Sequence, residues 1–249
     1  MPLTKLYLNI PYETRKGEKY ILPVDFLHNL PHPEKIILQR GKDYGSITKI
    51  LPVLHEELLP ETLIITFDDD LIYDDQVVAT LVEGAKKYDG VIGLGGWIVG
   101  SFPFLYQPVS GHDRQVDWVE GKTAVLYPRK YLPANPDDLL EHPFPKHLSQ
   151  HDDHILTYHV AKLGVRRYVV GMRTEAKTTV RNQVTHLDSI SGNGLKYLSE
   201  VRQVVKVMKE KHLYIQKADI SQTYGFTIVA IVMIIVGIIM IVIGLKRSS

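Results

Sequence analysis

The chain has 249 residues, of which 45% are hydrophobic and 23% charged, a composition that excludes an intrinsically disordered polypeptide. Lys plus Arg (29) nearly cancels Asp plus Glu (28), so no field of one sign covers the protein, and a basic nucleic-acid-binding domain is not expected. Cysteine is absent, which removes disulfides, thiolate metal sites and cysteine nucleophiles together.

Short β-rich runs at 3–10, 35–40, 62–67, 90–95, 115–119, 124–127 and 166–170 lean on Ile, Val, Leu and Tyr and read as strands. Between the second and third lies Arg40-Gly-Lys-Asp43-Tyr-Gly45-Ser-Ile-Thr-Lys49, a loop entering a helix. Glycine there permits close approach, and Arg40 or Lys49 can meet a phosphate, although the stretch lacks the Walker A spacing. A helix is predicted over 75–88, with Val77, Val78, Leu81, Val82 and Ala85 on one face. The apolar stretch from Val91, VIGLGGWIVGSFPFLY, is broken by glycines, Ser101 and Pro103 and reads as a buried strand followed by a loop. The segment 128–147 carries Pro128, Pro133, Pro136, Pro143 and Pro145 and reads as a loop. A second helix is predicted over 152–163, with Gly164 as its C-cap, and a third over 194–213. Alternation of strand and helix predicts an α/β layer architecture: a mainly parallel sheet flanked by helices.

At the C-terminal end, FTIVAIVMIIVGIIMIVIGL (226–245) is 20 residues without a charge. At about 1.5 Å per residue such a helix reaches about 30 Å, the thickness of a bilayer core. Lys246 and Arg247 close it and Tyr224 marks its other edge, so a transmembrane anchor is expected, with 246–249 as a short basic tail. Gly237 and Gly244 allow helix contact within the bilayer. Setting the anchor and tail aside removes Lys246 and Arg247 alone, leaving residues 1–225 with 27 basic and 28 acidic side chains. Residues 1–220 are then the working domain. The first 20 residues hold no apolar core of signal-peptide length, so this domain is expected on the cytoplasmic side.

The strongest chemical signal stands at the end of the third strand, where Thr62-Leu-Ile-Ile-Thr-Phe67 runs into Asp68-Asp69-Asp70. A buried strand thus delivers three carboxylates to its C-terminal edge, where open α/β sheets bind ligands. Three adjacent anions raise one another's pKa unless a cation joins them. Oxygen-only ligands suit Mg²⁺ or Mn²⁺ bridging to a diphosphate. Asp68 and Asp70 reach such an ion while Asp69 points elsewhere. An EF-hand fails on spacing, because Tyr73 and Ala79 stand where Gly and Glu are required. A phosphatase nucleophile is disfavoured by Ile72.

The second constellation is Ser149-Gln-His151-Asp152-Asp153-His154 at a helix start. One reading makes Asp152 a capping partner of Ser149; another makes a carboxylate of the pair a general base. Zinc held by His147, His151 and His154 is a third, opposed by Pro145 and a helix start near 150. Trp97 and Trp118 are either core aromatics or platforms for a sugar or base.

Strand, acidic triplet, helix, then an Asp pair opening a later helix is the layout of the GT-A nucleotide-sugar glycosyltransferases. RGKDYGSITKILPVL, TLIITFDDDLIYDDQVVATLVEGAKKYDG, VDWVEGKTAVLYPRKYL and HDDHILTYHVAKLGVRRYVV resemble a group of viral, bacterial and algal glycosyltransferase-like proteins, in order from about 37 to 170. The resemblance implies a GT-A (Rossmann-like) fold and a DxD motif in which Asp68 and Asp70 hold Mn²⁺ or Mg²⁺ on the donor diphosphate, with Asp69 near the donor ribose or sugar. It sets Asp43 and Lys49 in the nucleotide-pocket stretch and Gly121 in an acceptor-side loop. Asp153 matches the base of inverting relatives, with Asp152 where Glu is commoner, and His186 matches a late metal ligand. The implied activity is a metal-dependent transfer from a UDP- or GDP-sugar to a glycan, glycolipid or glycoprotein hydroxyl. The rivals are a catalytically idle GT-A-like membrane-bound scaffold and a metal-dependent phosphohydrolase.

Overall fold

The computed structural model describes residues 3–20, 27, 29–69, 71–99, 106–145, 147–148, 151–172, 179–180, 203–207 and 210. The chain divides into two units, Met1–Gln216 and Lys217–Ser249, and every described residue lies in the first. It is a mixed α/β structure. Strands β1 (Leu6–Asn9) and β2 (Ile36–Gln39) form a parallel pair in register from Leu6↔Ile36 to Asn9↔Gln39. A five-stranded sheet has the order β3 (Leu63–Thr66), β10 (Val125–Pro128), β5 (Val91–Gly93), β11 (Arg167–Val169), β8 (Arg114–Val116). A three-stranded antiparallel sheet joins β7 (Tyr106–Ser110), β6 (Gly95–Val99) and β9 (Trp118–Val119). The two-residue strands β4 (Leu71–Ile72) and β12 (Thr179–Val180) pair antiparallel.

The mainly parallel sheet expected from the alternation is corrected to a mixed one. Only β5 and β11 are adjacent and parallel in the large sheet; β10 runs antiparallel to both β3 and β5, and β8 antiparallel to β11. The chain between β5 and β10 carries strands β6 to β9 and a 3-10 turn at Gly121–Thr123, with no helix among its described residues to make the crossover a parallel neighbour needs. The expected strand over 115–119 is likewise two strands in different sheets, broken at Asp117. The buried Asp117 gives its N–H to Trp97 O (3.0 Å), and its carbonyl accepts from Arg167 Nε (2.9 Å). The loop expected after 95 contains β6 and β7 instead. Gly96 makes β6 possible, because a Cβ there would lie 2.3 Å from Trp118 O on β9.

Among the described residues, α1 (Leu51–Glu56) packs with the 3-10 turns at Gly45–Lys49 and Pro136–Leu140, and α2 (Val77–Lys87) and α3 (Asp152–Lys162) pack on the strands. The last two match the predicted helices at 75–88 and 152–163. Gly164 follows α3 with φ 69°, and its N–H returns to Ala161 O (2.9 Å), the expected C-cap. The apolar stripe of α2 (Val77, Leu81, Val82) packs with Ile92, Ala124, Leu126 and Val170. Full burial of each large aliphatic side chain there contributes about 1.5–3 kcal/mol. A second cluster gathers Trp118, Phe144, Leu148, Tyr158 and Ala161 with Val204, so the predicted helix at 194–213 is seen as helix at 203–207, with Val204 and Val205 buried. The segment 128–147 is not a plain loop: it contains short 3-10 turns at Arg129–Tyr131 and Pro136–Leu140. Among the described residues no helix is long and apolar enough to cross a membrane; the expected span 226–245 lies outside them.

Candidate functional site

Antiparallel pairing of β10 with β3 sets Val125 opposite Thr66, so the residues entering β10 lie beside those leaving β3. Apolar β3 ends in Phe67 and the half-buried Asp68, and Tyr73 fixes the junction. Its hydroxyl accepts the Asp68 N–H (2.9 Å) and donates to Lys122 O (3.0 Å). Asp69 is exposed. Asp70 and His186 lie outside the described residues.

Two further elements reach this corner. The 3-10 turn Gly45–Lys49 brings the Lys49 ammonium between two acids, hydrogen-bonded to Asp68 Oδ1 and 3.1 Å from Asp152 Oδ2. Helix α3 begins at Asp152, with Asp153 in its first turn, where carboxylates are favoured by unpaired backbone N–H groups. Asp153 Oδ1 accepts the Gly121 N–H at 2.7 Å. Gly121 is required by this approach, since a Cβ on it would lie 2.4 Å from Asp153 Oδ1 and 3.1 Å from Asp152 Oδ2. The turn carrying Gly121 ends at Ala124, which is fully buried and held at φ 74°, a left-handed strain for a non-glycine residue.

Electrostatics divide these groups. Burial works against the charge of Lys49, but Asp152 and then Asp68 outweigh it and hold the ammonium above its usual range. Burial raises the Asp152 carboxyl, with Lys49 pulling the other way. Asp153 is pushed well above the ordinary carboxylate range, first by enclosure and then by the Asp152 charge, with Lys49 and the Gly121 N–H opposing. The hydroxyl of fully buried Tyr127 is raised by burial and by Asp153, Asp152 and Asp68. A carboxyl with an elevated pKa, fixed by one backbone donor, is a perturbation of the kind that general bases carry.

Beside this corner, at the C-terminal ends of the parallel pair β1 and β2, lies a pocket of about 160 Å³ lined by Asn9, Gln39, Arg40, Tyr44, Leu51 and His55 among others. Three polar atoms on its wall, Asn9 Oδ1, Gln39 Oε1 and Arg40 Nε, are buried without a hydrogen-bond partner among the described residues. The Asn9 amide donates to Lys49 O (2.9 Å), tying the pocket to the acidic corner. The Arg40 guanidinium also lies 5.1 Å from the Tyr12 ring centre. Asp43 is engaged locally: its carboxylate accepts from Gly45 N (2.7 Å) and Arg15 N (3.0 Å), and so shapes the loop next to the pocket.

The remaining candidates separate. Trp118 is a core residue, 1% exposed, edge-on to His154. Trp97 is half-buried and donates its indole N–H to Glu120 Oε1 (2.6 Å), next to Gly121. The zinc reading is not supported by the histidine geometry. His147 Nε2 faces Gln203 Oε1 (3.3 Å), whereas His154 is buried with Nδ1 on Leu148 O (2.9 Å). Ser149, the capping partner considered for Asp152, lies outside the described residues. Among the described residues no group of three or more His, Cys, Asp or Glu is arranged to hold a metal ion. The donor chemistry at Asp68 nonetheless fits Mg²⁺ or Mn²⁺: a hard carboxylate oxygen on a partly exposed side chain, with Oδ2 unengaged among the described residues.

Sequence reasoning missed Asn9, Gln39, Tyr44 and Glu120. The signal for the first two was available, since each is the polar last residue of an otherwise apolar strand, at the edge where α/β sheets bind ligands. Compared with protein families and with curated proteins, the chain matches no family model and no curated protein.

Proposed function

We propose that the protein is a metal-dependent, membrane-anchored glycosyltransferase of GT-A type that moves a sugar from a UDP- or GDP-sugar to a hydroxyl acceptor with inversion. The observation that carries the reading is the meeting of Lys49, Asp68, Asp152 and Asp153 beside a pocket whose wall has unpartnered amide and guanidinium atoms. The pocket matches a nucleobase and ribose in chemistry, having amide groups for a base edge and Tyr44 for a ring face. Asp68 and Asp69 would face the diphosphate and its ion, and Asp70 and His186, both outside the described residues, are further candidate ligands. The uncharged run 226–245 supports the anchor.

A bound Mn²⁺ or Mg²⁺ supplies Lewis-acid stabilisation of the departing nucleoside diphosphate. The chain's own residues do the rest. Asp153 takes the proton of the attacking hydroxyl as the acceptor oxygen bonds to the anomeric carbon and the sugar–phosphate bond breaks. The Gly121 N–H fixes the carboxylate that does this, and Lys49 and Arg40 offer cationic partners to phosphate oxygens. Trp97, held by Glu120 and packed against the Trp118 cluster, is a candidate aromatic face for an acceptor sugar.

One observation favours a second reading, an idle GT-A-like scaffold: Lys49 already supplies a cation to the acids that a metal would otherwise serve. Incubating the full-length protein with UDP- and GDP-sugars and Mn²⁺ separates the two. Slow release of free sugar supports the transferase. Absence of nucleotide binding supports the scaffold, and phosphate release from simple esters points to a phosphohydrolase. Asp68→Asn, which removes a charge at constant size, is expected to abolish Mn²⁺-dependent UDP affinity; an unchanged affinity refutes the assignment. Asp153→Asn is expected to spare donor binding and stop transfer.

A further inference from the structure

The acidic corner is closed by a lysine. Asp68 Oδ1 accepts from Lys49, whose ammonium also lies 3.1 Å from Asp152 Oδ2. That ammonium is largely enclosed, with 19% of the side chain exposed, and it bridges the strand that ends in the acids to the helix that begins with them. Its backbone is held independently, since Lys49 O accepts from the pocket residue Asn9 (2.9 Å). The side chain is therefore free to change partners while its Cα stays fixed against the pocket wall. Asn9 Oδ1, Gln39 Oε1 and Arg40 Nε on that wall, without hydrogen-bond partners among the described residues, point independently to a polar ligand there.

Resting on the transferase reading above, we infer that Lys49 is a resident counter-ion that a divalent cation displaces from Asp68. An ion on the neighbouring Asp68 Oδ2 would stand about 4 Å from the ammonium on Oδ1, where two cations repel strongly in a partly enclosed site. In the empty protein Lys49 relieves the repulsion between Asp68 and Asp152, which lowers the corner's appetite for a lone ion. When the ion arrives with a nucleoside diphosphate, the displaced ammonium gains phosphate oxygens in place of the carboxylate it leaves. The protein thus favours the metal–nucleotide pair over either alone.

The test is a Mn²⁺ titration of the full-length protein in detergent micelles, read by the loss of the free-ion paramagnetic resonance signal, for wild type, Lys49→Met and Lys49→Arg. Lys49→Met is expected to bind Mn²⁺ without nucleotide about tenfold tighter or more, because it leaves two close carboxylates without a counter-ion. Lys49→Arg, which keeps the charge, is expected to remain as weak as wild type. An affinity in Lys49→Met no greater than wild type overturns the inference. Should that variant fail to fold, the wild-type protein alone decides. In that case UDP, if the wild type binds it, is expected to strengthen Mn²⁺ binding beyond the Mn²⁺–UDP association seen without protein, and nucleotide binding without such strengthening overturns the inference. Failure of every form to bind nucleotide, with the Mn²⁺ difference between Lys49→Met and wild type intact, removes the transferase reading and leaves the counter-ion standing.

Discussion

Gly121→Ala is the sharpest probe of the corner, because its effect is steric and its geometry is known. The added Cβ would lie 2.4 Å from Asp153 Oδ1, about 1 Å inside ordinary contact, and 3.1 Å from Asp152 Oδ2. The carboxylate must swing away, breaking the 2.7 Å bond from the Gly121 N–H. A hydrogen bond contributes about 0.5–1.5 kcal/mol, and overpacking adds about 1–3 kcal/mol. Partial relaxation brings the expected loss to about 3 kcal/mol, or about 6–12 °C in Tm for a domain of this size. Thermal and urea unfolding of the full-length protein measure it. In an Asp153→Ala background the chief obstacle is gone, so Gly121→Ala should cost under about 1 kcal/mol, since Ala also narrows the unfolded ensemble. Equal costs in the two backgrounds would show that Gly121 is needed for some reason other than its approach to Asp153.

His154 and His159 are buried, and burial lowers both to about 4. Their folded values lie below the unfolded one, so stability is full above about pH 6.5 and falls as pH drops towards 4, by about 3 kcal/mol for each group. Urea midpoints at pH 7, 5.5 and 4.5 should trace that fall, and His159→Leu should make it shallower; an unchanged acid slope sinks the assignment. Tyr73→Phe leaves the Asp68 N–H and Lys122 O without their bridge and should cost about 1–2 kcal/mol. If the reading of the corner is right, it also weakens Mn²⁺-dependent UDP binding, whereas a purely local role would leave that affinity unmoved.

Legibility tracked how local the determining force was. Helices α2 and α3 were read closely because a stripe at helical spacing is a property of one segment, as is the Gly164 cap. The acidic end of β3 was legible for a similar reason, an apolar strand followed at once by charge. The sheet order was not, because the insertion of β10 between β3 and β5 is decided by pairing across about sixty residues of chain. Strand β6 was hidden by the glycines that allow it, since Gly96 reads as a breaker until the carbonyl of Trp118 is seen against it. Asp117 carried a usable warning: a buried acid amid apolar neighbours marked the point where one apparent run leaves one sheet for another. Lys49 was legible as a cation near phosphate. Its engagement with Asp68 and Asp152, 19 and 103 positions away, was not.

That engagement explains how the acids tolerate one another. One ammonium set against Asp68 and Asp152 leaves a surplus negative charge before Asp153 is counted. The enclosed Asp153 then relieves the excess by holding its proton more tightly than an ordinary carboxyl does. The three acids are consequently unequal. Asp68, at the partly exposed strand end, offers a charged oxygen to a ligand, and Asp152 anchors the lysine. Asp153, fixed by Gly121, is left with a raised affinity for a proton, the property the proposed base would use. Moving the lysine would change all three at once: on the proposed displacement Asp152 and Asp153 lose an ammonium that opposes their protonation, while the incoming divalent ion takes its place at Asp68.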